Sequence, residues 1–378
     1  MLITKSGNFA AGLDISDLTL KLIQLKKVRN KIKIQALNKI ILPPNIMDRG
    51  EIKNEDGLLA GLAELFSKPK FGSLSTTLIN ASLPDTKTFI KLIEVEKSPN
   101  PLPDIIRAEI EKYIPLSLKD IYFDWQIISE NADKYNVLVG ASPKNIVDQY
   151  IAVLQRAKLA IAALEIESVA ICRALLPQEF PKVKQPPAPN CGIIDIGAKR
   201  SNLIIYAKNT IVLSMSMPIA GDEITNRIAT SLEIKRDQAE KAKIICGLDK
   251  AKAQGIISDI LSDMIKDLVC RIKETIEFYT THYPAYGPLQ AIYLCGGGSN
   301  IKNIEGIITS QIGIKTALAD ITAHLTADDQ NLSKYFLEAH SVNLAAANLA
   351  ENDITRQNSA LSFATAIGLA LRDIFINK

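Results

Sequence analysis

A short acidic pattern occurs twice in this chain and constrains its fold more than any other feature. Leu13-Asp14-Ile15-Ser16-Asp17 runs into Leu18-Thr19-Leu20-Lys21-Leu22-Ile23-Gln24-Leu25, and Ile194-Asp195-Ile196-Gly197-Ala198 runs into Ser201-Asn202-Leu203-Ile204-Ile205-Tyr206. Each copy reads as an apolar strand carrying an Asp near its end, a turn of small residues, and a second apolar strand. Taken singly, such a hairpin is equally an ordinary β-turn with a surface carboxylate. At corresponding places in two halves it meets the needs of a nucleotide held between related lobes. Turn N–H groups face phosphate, and a strand-end carboxylate holds Mg2+ through water.

Length agrees with two halves, because 378 residues exceed the size at which one core keeps growing. With 47% hydrophobic and 22% charged residues, the chain can fill a large core. A net charge of +3 is too small to point to nucleic acid. The basic residues Lys21, Lys26, Lys27, Arg29, Lys31, Lys33 and Lys39 nevertheless occur with no acid between Asp17 and Asp48. They read as the solvated face of a hairpin, with a surface for acidic lipid or protein as the alternative. Cys172, Cys191, Cys246, Cys270 and Cys295 are odd in number, form no CxxC pair and sit in apolar contexts, which predicts buried free thiols in a reducing compartment. The three histidines are too scattered for a zinc site. Met1 to Ala11 lacks the apolar core of a signal peptide, and no run of about 18 apolar residues could span a membrane. A cytoplasmic protein is expected.

Residues 10–42 predict strand, turn, strand, turn, strand, with Arg29-Asn30-Lys31 as the second turn. A helix is expected from Asn54 to Phe66 and a strand from Leu74 to Leu83. Then the pattern changes. Phe89 to Val95 is a strand, and a loop holding Pro99, Pro101 and Pro103 opens a helix that carries Leu102, Ile105, Ile106, Ile110, Tyr113 and Ile114 and stops at Pro115. Strands Ile121–Ile128 and Tyr135–Val139 complete a strand-helix-strand-strand module that interrupts the first half. Helices Ile146–Leu159 and Ser168–Leu176 close that half, and five prolines between Pro177 and Pro189 mark a linker. After the second hairpin, residues 221–284 read as helical: Ile224–Leu232, Arg236–Cys246 and a long amphipathic stretch from Gly255 to Tyr279. Ala291 to Cys295 is a strand that breaks into Gly296-Gly297-Gly298-Ser299 before a further helix, and Asn358–Phe375 is a terminal helix rich in small residues.

Two further groups bear on chemistry. Three glycines after a strand let the backbone pass beneath a flat or anionic ligand, although they match neither a Walker A loop nor a dinucleotide fingerprint. Glu240 and Lys243 lie near one helix face and would reach an adenosine; otherwise they are solvated helical charges.

In this order, the elements resemble the superfold shared by actin, heat-shock chaperone ATPases and sugar kinases. Within it the chain is similar to the type IV pilus assembly PilM family, relatives of the cell-division protein FtsA, over nearly its whole length. The resemblance rests on Gly12-Leu13-Asp14-Ile15 with Lys21-Leu22; on Glu109-Ile110-Glu111-Lys112-Tyr113-Ile114-Pro115 followed by Phe123-Asp124-Trp125-Gln126; on Ile194-Asp195-Ile196-Gly197-Ala198; and on Pro218-Ile219-Ala220-Gly221-Asp222-Glu223-Ile224-Thr225. It continues in Ala239-Glu240-Lys241-Ala242-Lys243, Gly296-Gly297-Gly298-Ser299 and Phe363-Ala364-Thr365-Ala366-Ile367-Gly368-Leu369-Ala370. The Glu-Lys-Tyr-Ile-Pro string is the most specific, since it belongs to the inserted module.

The resemblance implies an α/β, actin-like two-lobed fold of duplicated ribonuclease H-like domains. The first lobe would span 1–84 plus 143–184, with an inserted strand-helix-strand-strand subdomain at 85–142. The second would span 185–220 plus 285–378, with a helical subdomain at 221–284. It also implies ATP and Mg2+ in the cleft. Asp14 and Asp195 would place the metal; the turn at Ser16, Asp17 and Leu18 with Lys21, and the turn at Gly197, Ala198 and Lys199, would hold phosphates. Gly296, Gly297, Gly298 and Ser299 would lie near the adenosine, and Gly221, Glu240 and Lys243 would border the purine. Glu167 matches a family acid near the cleft and would orient water. The inserted module would help form a groove for the N-terminal cytoplasmic peptide of a PilN-like bitopic membrane protein. Pilus motor or other platform proteins are further partners the resemblance suggests, and it leaves self-association open.

This chain departs from the family at Ser16, where Gly is usual, and at Lys199-Arg200-Ser201-Asn202, where small and hydroxyl residues are usual. Both sit in phosphate turns, so nucleotide binding is expected ahead of efficient hydrolysis. The implied role is a cytoplasmic ATP-binding scaffold at the cytoplasmic face of the inner membrane, touching the membrane indirectly. A sugar-kinase-like phosphotransferase would need a catalytic Asp and substrate pocket that the first lobe does not offer. An FtsA-like tether would need a terminal amphipathic helix, and none follows Leu371-Arg372-Asp373-Ile374-Phe375-Ile376-Asn377-Lys378.

Overall fold

The computed structural model describes residues 9–29, 31–114, 116–177, 188–326, 336 and 360–376. Residues 178–187 of the expected linker, Asn30, Pro115, Asn358, Ser359, residues 1–8 and 377–378 lie outside the described residues.

The chain opens with β1 (Ala11–Ile15), β2 (Thr19–Val28) and β3 (Lys31–Ile41), then a small ribbon of β4 (Met47–Asp48) and β5 (Glu51–Ile52). Helix α1 (Glu55–Ser67) starts where the Asn54 side chain accepts the Gly57 N–H at 2.9 Å, a side-chain N-cap. β6 (Phe71–Gly72) and β7 (Leu78–Leu83) follow. The inserted module is β8 (Phe89–Glu96), α2 (Leu102–Ile110), β9 (Ile121–Glu130) and β10 (Lys134–Pro143). The chain then returns through α3 (Lys144–Arg156), β11 (Ala160–Ile166) and α4 (Glu167–Leu175). The second half runs β12 (Cys191–Ile196), β13 (Ser201–Ala207), β14 (Thr210–Met217), α5 (Gly221–Leu232), α6 (Arg236–Cys246), α7 (Ile256–His282), β15 (Ala291–Cys295), α8 (Ile304–Ile312) and β16 (Thr316–Leu318). Helix α9 (Ala364–Ile376) ends the described chain.

The duplication is explicit in the sheets. The first is ordered β11-β7-β1-β2-β3-β6 and the second β14-β13-β12-β15-β16. In both, an antiparallel three-stranded meander continues into two parallel strands, since β1 and β12 pair antiparallel to β2 and β13 and parallel to β7 and β15. This is the two-lobed, actin-like architecture that the resemblance implies, with the module as a separate sheet ordered β8-β10-β9. The module has its own core of Ile93, Val95, Ile106, Ile110, Ile121, Val137 and Val139. It also touches the second lobe, because Leu92 is buried in the core that holds Leu203, Val212 and Ile265.

Several expectations change. Ala160–Ile166 is a strand where only a connection between helices was expected, and α3 stops at Arg156 rather than reaching Leu159. Alanine-rich runs have weak strand propensity, and this one is fixed by its parallel partner β7, far away in sequence. β14 and β16 were likewise unforeseen, and the strand expected over 74–83 begins at Leu78. The regular part of α2 ends at Ile110, leaving Tyr113 44% exposed beneath the Lys91 ammonium rather than on the buried stripe. All five cysteines are free; Cys172, Cys191 and Cys295 are buried as expected, whereas Cys246 is half-buried and Cys270 exposed.

Helix α9 holds the lobes together. A Cβ on Gly12 of β1 would overlap the Ala366 carbonyl, and a Cβ on Gly368 would overlap the Ala170 carbonyl of α4. Asp373 accepts the Ala10 N–H at 3.1 Å, Asn80 donates to the Leu369 carbonyl at 3.1 Å, and Arg173 donates to the Gly368 carbonyl at 3.0 Å. The buried cluster around α9 draws on both halves, joining Ile23, Leu37 and Ile171 to Ile193, Ile204 and Cys295. Gly368→Ala should therefore lower stability by about 2–3 kcal/mol, since backbone must move to admit the methyl. Gly306→Ala in α8, where a Cβ meets no atom within 4 Å, should leave stability unchanged or raise it slightly. Urea midpoints of the two variants check this, and equal midpoints would contradict the close seat of α9.

Candidate functional site

The two acidic hairpins face one another across a cavity of about 220 Å³. They repeat down to their hydrogen bonds. In the first, Ser16 N–H donates to the Thr19 carbonyl at 3.0 Å; in the second, Gly197 N–H donates to the Arg200 carbonyl at 2.9 Å. Asp14 stands opposite Lys21 in the strand register, and Asp195 opposite Asn202. A Cβ on Gly197 would crowd the Arg200 carbonyl, whereas Ser16 occupies the equivalent place and uses its hydroxyl to donate to Thr19 O at 2.9 Å. The serine thus reinforces its turn.

The cavity lining brings together Asp14, Ser16, Asp17, Lys21, Glu167, Asp195, Gly197, Ala198, Lys199, Gly296 and Gly297 from among the residues singled out in the sequence. Lys21 Nζ lies 2.7 Å from Asp14 Oδ2, both buried. Asp17 Oδ1 accepts the Gly50 N–H at 2.9 Å, anchoring the first turn to the β4–β5 ribbon. Lys199 Nζ reaches across to Asp48 Oδ1 at 3.8 Å. Gly296, at φ 82°, carries the strand past Asp195, where a Cβ would strike Asp195 Oδ1.

The other candidates sit behind the lining. The Leu18 carbonyl accepts the Leu42 N–H at 2.9 Å. Gly298 is buried against Ile196, and buried Ser299 donates its hydroxyl to the Cys295 carbonyl. Gly221 N–H donates to the Gly197 carbonyl at 3.1 Å and Asp222 N–H to the Ala198 carbonyl at 2.8 Å, so the second turn is docked on the start of α5. Buried Lys243 donates to the Gly221 carbonyl at 3.0 Å, Thr225 Oγ1 at 2.8 Å and Glu240 Oε2 at 2.7 Å. Glu240 and Lys243 are therefore coupled to that same turn through α5.

The cavity is electrostatically loaded. Desolvation, reinforced by Asp85, Asp14 and Asp195, pushes the Glu167 carboxyl well above its usual range. Desolvation also pushes Asp195 up to about 6 although Lys21 opposes the shift. Lys39, which sequence reasoning left among the solvated lysines, lines the cavity; desolvation and the charges of Lys21 and Lys70 bring it down to about 7. Asp85 was missed altogether. It follows β7, whose parallel partner β1 carries Asp14, so its place at a strand end beside the first hairpin was the available signal. Ser362 also lines the cavity, and its buried hydroxyl has no hydrogen-bond partner among the described residues.

A carboxylate cluster that raises its own protonation constants wants a cation. The lining lysines and Arg200 suit an anion, and Ser362 offers an unused polar atom. The basic lining residues suit a polyphosphate, although no group of three or more metal-ligating side chains is assembled among the described residues.

Comparison with known proteins places this geometry in context. A family model described as type IV pilus assembly protein PilM matches residues 12–374. Among solved structures the chain is similar to a PilM-PilN type IV pilus biogenesis complex at 20% identity and TM-score 0.76, over 96% of this chain and 98% of that one. It is similar to the ethanolamine utilization protein EutJ of Carboxydothermus hydrogenoformans at 14% identity and TM-score 0.55, over 97% and 90% of the two chains. MreB5 of Spiroplasma citri bound to ADP aligns at 13% identity and TM-score 0.51, over 90% and 97%. At these identities the likenesses establish a shared fold.

The Asp195 shift makes a pH-dependent prediction. A carboxyl raised from 3.8 to about 6 on folding costs stability as pH climbs through that interval, and the full penalty is present at pH 8. Asp195→Asn removes the charge, so the nucleotide-free variant should melt about 2–5 °C above wild type at pH 8. Near pH 4, where wild-type Asp195 is protonated, the two midpoints should converge. A variant melting below wild type at pH 8 would contradict the loaded cleft.

Proposed function

The chain belongs to the type IV pilus assembly protein PilM family, and from that premise we propose that it is a nucleotide-gated scaffold of a pilus inner-membrane assembly platform. It binds the short cytoplasmic N-terminal peptide of a PilN-like membrane protein, in keeping with the PilM-PilN pairing of its structural relative. The observation that carries this reading is the pairing of two acidic hairpins, alike to the hydrogen bond, across one cavity that also touches the root of the inserted module.

When bound, Mg-ATP supplies a divalent cation and a polyanion that answer the charges of both lobes at once. Asp14 and Asp195 would hold the cation. The turns at 16–18 and 197–199, with Lys21, would hold phosphates, and Lys39, which sequence reasoning missed, lines the same cavity. Gly296 to Ser299 would run beside the adenosine, with Gly221, Glu240 and Lys243 bordering the purine. Glu167, whose carboxyl is raised by desolvation and by its acidic neighbours, lines the cavity and would position a water. With Ser16 and Lys199-Arg200 in the phosphate turns, nucleotide binding is expected ahead of turnover, at rates far below the roughly 10 per second of a typical enzyme.

Gating requires that nucleotide favour one arrangement of the lobes. The Lys199–Asp48 pair spans the cleft in this structure, and phosphate held at the second turn would compete with Asp48 for Lys199. No helix among the described residues is long and apolar enough to cross a membrane.

Titration calorimetry should give Mg-ATP binding that Asp14→Ala weakens by roughly tenfold or more. A fluorescent peptide from the partner's N-terminus should bind the wild-type chain with an affinity that changes when Mg-ATP is added. Peptide binding in neither condition would overturn the scaffold reading; loss of Mg-ATP binding by Gly306→Ala as well as Asp14→Ala would overturn the assignment of the cleft.

A further inference from the structure

Asp85 stands where three bodies meet. It follows Leu83-Pro84 at the end of β7 and is the first residue of the crossing into the module. Its Oδ2 accepts the Ser168 hydroxyl at 2.6 Å and the Asn202 amide, and its Oδ1 accepts the Ser168 N–H at 3.3 Å. Ser168 lies in the first turn of α4 in the first lobe, whereas Asn202 lies on β13 in the second. Ser214, on neighbouring β14, closes the ring: its hydroxyl is 2.9 Å from Ser168 Oγ and accepts from Asn202 Nδ2 at 3.1 Å. One carboxylate therefore receives donors from both lobes.

The same residue reaches the cavity through its backbone. Asp85 N–H donates to Glu167 Oε2 at 3.3 Å, and Glu167 lines the cavity with Asp14 and Asp195. In the other direction, Lys87 N–H donates to the Pro84 carbonyl at 2.9 Å, making a single tight turn between Asp85 and β8. β8 carries Leu92 into the second-lobe core. Over this short stretch the chain passes from a cavity contact, through an interlobe clasp, to the edge of the module.

We infer that Asp85 is the positioning residue that couples occupancy of the cleft to the placement of the inserted module, and so to its partner groove. The inference rests on the nucleotide-gated reading above. Hydrogen bonds to a carboxylate are short and directional, so separation of the lobes by about 1 Å breaks the Asn202 arm while the Ser168 arm persists. The clasp therefore has two states, made and unmade, and the backbone bond to Glu167 ties the choice to the cleft. Nothing in this arrangement needs Asp85 to touch the nucleotide.

The test is a coupling measurement on the full chain. Peptide affinity is measured with and without saturating Mg-ATP, together with Mg-ATP affinity, for wild type, Asp85→Asn and Ser214→Ala. Asp85→Asn presents an amide to the Asn202 amide and opens the interlobe arm while retaining an acceptor for Ser168. Wild type should show a change in peptide affinity of roughly tenfold, within the usual range for linked sites. Asp85→Asn should reduce that ratio to below about twofold with Mg-ATP affinity held within about threefold, and Ser214→Ala should reduce it by an intermediate amount. A folded Asp85→Asn or Ser214→Ala chain that keeps the wild-type ratio overturns the inference alone. Absence of coupling in wild type overturns the gated reading, and the inference with it. Loss of Mg-ATP binding in Asp85→Asn would make Asp85 part of the nucleotide site and overturn its role as a coupler.

Discussion

The close seat of α9 is the constraint on which the rest depends. Two glycines, Gly12 on β1 and Gly368 on α9 itself, let backbone meet backbone where any Cβ would intrude. Close contact of this kind leaves little slack, since packed interiors transmit rather than absorb displacement. The seat is reinforced by buried polar groups: Asp373 accepts from the Ala10 N–H and from Asn80, Asn80 also donates to the Leu369 carbonyl, and Arg173 lies between Glu165 and the Gly368 carbonyl. Because α9 follows the second sheet in the chain but packs on the first strand of the first sheet and on α4, it sets the distance across which the two hairpins face.

That distance makes the cleft uncomfortable. Asp14, Asp195 and Glu167 share the cavity, and burial together with the neighbouring carboxylates shifts the last two upward. Lys21 is already engaged with Asp14, and Lys39 is itself held near neutrality. A fold selected only for stability would replace such a cluster with apolar residues, as buried charge networks tolerate well. Its retention at the meeting point of two duplicated hairpins is the pattern of a site whose strain is relieved by a ligand. The two hairpins are not equal, however. Ser16 ties its turn with a side-chain bond, whereas the second turn depends on a glycine and leans on the start of α5.

Much of this was legible in the sequence because its signals are local. The apolar run from Leu20 to Leu25 marks β2, the Asp-small-turn pattern marks both hairpins, and the break into glycines marks the end of β15. The strand-helix-strand-strand module could be read for the same reason. What escaped reading was set by distant partners. β11 is alanine-rich and becomes a strand beside β7; β16 has only three residues and is stabilised by β15. Lys39 looks like one more lysine of a basic run until the register sets it opposite Lys21. Asp85, in an ordinary Leu-Pro-Asp-Thr stretch, gains meaning only from Ser168 and Asn202, which approach it from two different lobes.

The module's position supports the scaffold reading. A phosphotransferase on this fold would use lobe closure to shut a second substrate against the phosphate, and would need an open pocket in the first lobe beside the hairpin. Here the β4–β5 ribbon lies beside the first hairpin, with Gly50 bonded to Asp17 and Asp48 facing Lys199. The mechanical output of closure instead runs the other way. From Glu167 it passes to the Asp85 backbone, from the Asp85 side chain to Asn202 and Ser214, and along the chain into β8, whose Leu92 is buried with the second lobe. On the proposed coupling, a cleft linked to the module's sheet in this way would convert nucleotide binding into a change of surface. That is the physical content of a gated scaffold.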